Sequence, residues 1–142
     1  QAMSKEYCDT GLWSPKKTIY DPCPPGWRVP DGGDDGVWVK AGIPNESTYS
    51  GTLKGITIDQ PYCDKKAWYP SIGGGRQWNG GGIMHVGEWG NYWSCTYFYE
   101  SWMAESPQFY NAYYSFVFYP GETRAKDHSY SGQGQAVRCC RE

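Results

Sequence analysis

The sequence has no excess of positive charge, only two histidines, little leucine and no apolar run approaching a membrane span. Lys and Arg number 13 against 15 Asp and Glu, and the net charge of −2 argues against nucleic acid, or a membrane surface held by a basic patch, as a partner. A bilayer crossing needs roughly 20 consecutive apolar residues, so direct membrane insertion by this chain is not expected. His85 and His128 lie in loop-like stretches and no Gly-x-Ser-x-Gly elbow occurs, so no catalytic residue and no enzymatic activity are expected. There is no Cys-x-x-Cys pair, which disfavours zinc.

What is abundant points to a loop-rich β protein. The 142 residues suffice for one domain with a sizeable core, and 19 Gly, 10 Pro and 18% aromatic residues favour strands and turns over helices. Six cysteines form an even set: Cys8, Cys23, Cys63, Cys95, Cys139 and Cys140. They read as disulfides, which implies an oxidising, extracellular or cell-surface location. Adjacent strand residues point to opposite faces, so Cys139 and Cys140 are expected to find different partners, a vicinal bridge being the rarer alternative.

In chain order, residues 1–17 are an N-terminal entry segment, with an entry strand or hairpin expected over 1–20. Asp21-Pro22-Cys23-Pro24-Pro25-Gly26 is a rigid turn, because its prolines fix φ and remove donors. Trp27-Arg28-Val29-Pro30 is a short extended piece. Asp31-Gly32-Gly33-Asp34-Asp35-Gly36 matches the first, fifth and sixth positions of a calcium loop. Gly33 falls at the third position, however, and Gly42 where the bidentate Glu belongs, so calcium is disfavoured and no cofactor is expected. The alternative is a turn into a short helix over Asp34–Ala41 with an Asp as N-cap. Asn45-Glu46-Ser47 is a formal glycosylation sequon. Gly55–Ile58 alternates like a strand, and Ala67–Ser71 reads as a short buried strand. The glycine triplets at 73–75 and 80–82 open no helix and read as loops. The tail from Gln135 to Cys140 reads as a terminal strand.

More than half of the aromatic residues fall between Val86 and Tyr119. Strands are expected at Tyr92–Thr96 and at Ala112–Tyr119, where Ala112, Tyr114, Phe116 and Phe118 alternate on one face. Trp93 joins them as core. The stretch between, Tyr97–Asn111, has no sustained period, and two paired strands need only a few residues to connect them. Tyr and Trp offer rigid, amphipathic contact surface at low entropic cost. Tyr97, Phe98, Tyr99, Ser101, Trp102, Gln108, Phe109, Tyr110 and Asn111 are therefore candidate ligand-binding residues. The polar stretch Glu122–Tyr130, with Arg124, His128 and Tyr130, is a candidate second wall.

Several motifs occur in an order that resembles a known family. They are Tyr20-Asp21-Pro22-Cys23-Pro24-Pro25-Gly26-Trp27-Arg28-Val29-Pro30, Trp68-Tyr69-Pro70 through Arg76, Val86-Gly87 with Gly90-Asn91-Tyr92-Trp93-Ser94, and Val137-Arg138-Cys139. Together, over roughly residues 18–142, they are similar to the Fibrobacter succinogenes major paralogous domain of Bacteroidetes surface lipoproteins and fimbrial tip proteins. The resemblance implies an α+β, C-type-lectin-like fold across 1–142: a small twisted antiparallel sheet, two short helices and long loops, stapled by disulfides. It also implies a Cys23–Cys139 bridge, at the family's cysteine positions. The other four cysteines depart from the family pattern; Cys8–Cys140 and Cys63–Cys95 are the expected pairs.

The function this implies is a non-catalytic, adhesin-type module of a surface or fimbrial tip protein, binding a host or bacterial protein or a glycan through the aromatic loop. Calcium-dependent sugar binding is disfavoured, because Ile43-Pro44-Asn45 and Trp89-Gly90-Asn91 each lack the carboxylate such lectins use. Formylglycine-generating enzymes resemble this fold and use a cysteine pair, but Cys139 matches a structural cysteine. A structural cap that docks pilin subunits is one alternative. Another is a hypervariable binding protein diversified by a diversity-generating retroelement. Tyr97, Phe98, Tyr99, Ser101, Tyr110 and Asn111 fit adenine mutagenesis, while Glu100, Trp102, Met103, Glu105 and Gln108 do not.

Overall fold

A computed structural model of the chain describes residues 12–43, 48–59, 66–71, 75–77, 80–105 and 112–142. Along them run β1 (Trp27–Arg28), α1 (Val37–Lys40), β2 (Gly55–Asp59), β3 (Lys66–Pro70), β4 (Gly75–Arg76), β5 (Ile83–Met84), β6 (Gly90–Phe98), a 3-10 helical turn (Ser101–Glu105), β7 (Ala112–Tyr119), β8 (Glu122–Tyr130) and β9 (Cys140–Arg141). The strands form a three-stranded sheet, β6-β7-β8, and three two-stranded pairs, β1-β9, β2-β3 and β4-β5. All pairings between these strands are antiparallel.

The central sheet exists because β7 is apolar on both faces. Phe116 and Phe118 point into one core, while Tyr113, Ser115 and Val117 are also buried. The first face packs with Trp38, Ile56, Ile58 and Tyr92. Trp38 stacks on Phe116 at 5.2 Å, and Tyr69 meets both Tyr92 and Phe116 edge-on. Each of these large side chains contributes about 1.5–3 kcal/mol on burial, so the sheet and its aromatic cover dominate the core. Gly90 is required by this packing: a Cβ there would overlap the Phe118 ring. The bend from β7 to β8 is the expected Pro120-Gly121 turn, with Gly121 at φ +98°.

Helix is scarcer than an α+β fold implies. Among the described residues, α1 has four residues and begins after Gly36 without a side-chain cap. The expected N-cap role for an Asp therefore fails. The carboxylates are engaged elsewhere: Asp31 with Arg28 at 2.6 Å, Asp34 with Lys126 at 2.6 Å and Asp35 with Lys40 at 4.0 Å. Glycine is needed at Gly36, where a Cβ would lie 2.7 Å from the Gly32 Cα, and Gly42, at φ +64°, closes the other end. Two valines and no acidic residue in the first turn give the short helix little intrinsic support.

Three further expectations are corrected. Residues 12–20 form turns rather than a strand, because their donors close on nearby groups. Thr18 donates to the Leu12 carbonyl, and Lys17 reaches the Cys23 and Trp27 carbonyls. The terminal strand is only Cys140–Arg141, paired with Trp27–Arg28; Ala136 makes an isolated bridge to Tyr92. Finally, Lys66–Pro70 is an exposed to half-buried strand, with burial reached only at Ser71.

The Cys23–Cys139 disulfide is present and links residues 116 apart. It packs with Val29, Cys95, Trp13 and Val137 in a second small core. Cys95 and Cys140 are free thiols, and their expected partners, Cys63 and Cys8, lie outside the described residues. No described helix is long and apolar enough to cross a membrane.

Candidate functional site

The aromatic connection begins two residues later than its composition suggests. β6 bulges between Trp93 and Tyr97 and then resumes pairing, with Tyr97 opposite Tyr113 and Phe98 opposite Ala112. Ser94 donates to the Tyr114 carbonyl at 2.6 Å within this bulge. Tyr97 and Phe98 are thus strand residues. Phe98 is 7% exposed and belongs to the core with Met103 and Ala112, so it is not a contact surface for a ligand. Tyr97 is half-buried against the edge of Tyr113 at 5.9 Å.

The exposed part starts at Tyr99. Tyr99 is 55% exposed and Trp102 41%, while Met103, on the same 3-10 turn as Trp102, is fully buried. The turn is fastened by Met103 N–H donating to the Glu100 carbonyl at 2.9 Å. The Trp102 indole donates to Glu100 at 2.8 Å, which fixes the ring's orientation. Ser101 is exposed beside them. Gln108, Phe109, Tyr110 and Asn111 lie outside the described residues.

The second wall is the strand β8, and it splits the remaining candidates. His128 lies flat on Phe98, centroids 4.1 Å apart, with Tyr130 edge-on to it at 6.2 Å. These two therefore sit behind the aromatic turn. Arg124 is at the other end of β8, opposite Val117, bonded to Glu122 at 2.6 Å and near Asp127 at 3.4 Å. Its guanidinium pKa is raised, first by the hydrogen bond it donates to Glu122, and its charge is engaged within this cluster.

His128 and Tyr130 also line a cleft of about 300 Å³, together with Arg76, His85, Trp89 and Gln135. None of these last four is among the binding residues that the sequence points to. They come from separate segments, and the only local signal was a charged residue next to a glycine triplet. Trp89 is held between His85, at 4.3 Å, and Tyr119, at 4.6 Å, both stacked.

Burial, with the neighbouring Asp31 carboxylate, pushes the Cys95 thiol up to about 12, which leaves it a poor nucleophile. Among the described residues no three His, Cys, Asp or Glu side chains come together as a metal would require. Compared with known proteins, the chain matches no family model, no curated protein and no solved structure.

Proposed function

We propose that this chain is a non-catalytic ligand-binding module of the adhesin type, working outside the cytoplasm at a cell or fimbrial surface. In this reading its small antiparallel sheets belong to a C-type-lectin-like domain of the Fibrobacter succinogenes major paralogous type. It recognises a protein or a glycan through the aromatic turn after β6.

One observation carries the reading: Tyr99, just after β6, and Trp102, on the turn anchored by fully buried Met103, stand in solvent. Exposed large rings on a fixed base are the usual make-up of a recognition surface. The Cys23–Cys139 bridge supports an oxidising compartment. The burial of Phe98 weighs against a diversified surface, since one of the positions that fits adenine mutagenesis is core.

The test is Tyr99→Ala and Trp102→Ala, singly and together, against a glycan array and a panel of surface and pilin proteins. Anchoring rings are worth about 2 kcal/mol or more, so the double variant is expected to lose at least tenfold in affinity. Unchanged binding by folded variants would sink the proposal.

A further inference from the structure

The cleft beside β8 holds an arrangement that the aromatic turn does not explain. Its walls are tied by backbone bonds. Arg76 N–H donates to the Gly134 carbonyl at 2.9 Å, Gly134 N–H returns to Arg76 at 3.2 Å, and Ala136 N–H donates to Asn91 at 3.0 Å. Glycine at 134 permits that approach, since a Cβ there would lie 3.0 Å from the Arg76 Cβ. The backbone of these walls is thus held in place, which lowers the ordering cost of binding, and the Gln135 amide is the part that must turn.

Its chemistry is mixed in a particular way. Asn91, Gln133 and Gln135 bring three amides, groups that both donate and accept, as sugar hydroxyls do. Gln135 Oε1 is buried with no hydrogen-bond partner among the described residues, while its Nε2 lies 3.5 Å from Gln133 Oε1. A hydroxyl would satisfy that acceptor once the amide turns toward the cleft. His85 is the outer, exposed ring of the His85–Trp89–Tyr119 stack and offers a flat face to a pyranose. The lining carboxylate, Asp127, is engaged by Arg124 and by the His128 N–H at 2.8 Å. None of the ion pairs among the described residues includes Arg76, and a guanidinium fork matches a carboxylate.

We infer that this cleft binds an acidic sugar residue of the uronate type, its carboxylate on Arg76, its hydroxyls on the amides and its ring against His85. The volume, at the small end of ligand pockets, suits one or two sugar units. This site is separate from Tyr99 and Trp102, and the inference stands whether or not the aromatic turn binds anything.

The experiment is an NMR titration of the full chain with glucuronate, galacturonate, glucose and acetate, read at the Trp89 indole and the Gln135 amide. Both uronates are expected to shift these signals. Glucose, lacking the charge, should bind roughly 10- to 100-fold more weakly, and acetate, lacking the hydroxyls, also more weakly. Arg76→Gln should abolish the preference for uronate over glucose, and Trp102→Ala should leave it intact. Silence from both uronates with folded protein overturns the inference. So does glucose or acetate binding as tightly as uronate, or an Arg76→Gln variant with its preference unchanged.

Discussion

The imidazole of His128 lies on the ring of Phe98 with the planes 3° apart and the centroids at 4.1 Å. Tyr114 closes the other approach to Phe98 edge-on at 5.1 Å. Phe98 is therefore a platform between β6 and β8, whereas its neighbour Tyr99 stands in solvent. Truncating a buried Phe costs about 3–5 kcal/mol, and an exposed residue about 0.5 kcal/mol or less. Phe98→Ala should accordingly destabilise the chain by several kcal/mol in denaturant unfolding, and Tyr99→Ala should barely move the midpoint. Equal losses from the two variants would remove the distinction between platform and surface.

That pair also shows what the sequence could and could not tell. β7 is legible from Ala112 to Tyr119 because a run of aromatic and β-branched residues carries its own strand signal, although the strand is buried on both faces rather than on the one that alternation suggests. The end of β6 was not. Its bulge leaves Tyr92, Trp93, Ser94 and Cys95 all buried in succession, so the period of two vanishes just where the strand continues to Phe98. The bulge depends on Ser94 meeting the Tyr114 carbonyl, and on Gly32 packing so close to both residues that no Cβ fits. Those contacts join positions far apart in the chain. The helix is shorter than the Asp34–Ala41 that the sequence suggests for a similar reason: Asp34 finds Lys126 of β8 instead of a helix N-terminus. Of the candidate site, Tyr99 and Trp102 were legible from composition, but the cleft was not. Arg76, His85, Trp89 and Gln135 become neighbours only after four segments have packed.

Asp21 organises the proline-rich turn and gives it a pH dependence. Its carboxylate accepts from Cys23 N–H at 2.8 Å, from Val29 N–H at 3.0 Å and from Lys17 at 3.1 Å. Burial works to raise its pKa, but the bonds from Val29, Cys23 and Lys17 together outweigh it and hold the group below the usual carboxylate range. A depressed folded-state pKa stabilises the native state above the unfolded value of about 3.9, and that contribution is lost as pH falls through the folded value. Asp21→Asn keeps one acceptor and leaves a buried N–H unsatisfied, at a cost of about 1–3 kcal/mol near neutral pH. Unfolding curves at pH 7 and pH 3 should show the gap between wild type and variant narrowing in acid. A gap of constant size would mean that Asp21 does not act through its charge.

The Cys23–Cys139 bridge ties that same turn to the C-terminal segment across 116 residues. On the chain-entropy account, a loop of this length is restrained in the unfolded state by about 4–5 kcal/mol. Replacing both residues with Ser should lower stability by an amount of that order, a large share of the 5–15 kcal/mol typical of a domain. The two remaining described thiols should respond differently to alkylation. Cys95 is buried beside the bridge with its pKa pushed up to about 12, so it should react only on unfolding. Cys140 is only half-buried and its pKa is also raised by burial, so it should react slowly but before Cys95. Peptide mapping after graded alkylation of unreduced protein reads both results at once. Recovery of Cys23 or Cys139 as an alkylated free thiol would contradict the bridge, and labelling of Cys95 in the native state would contradict its burial.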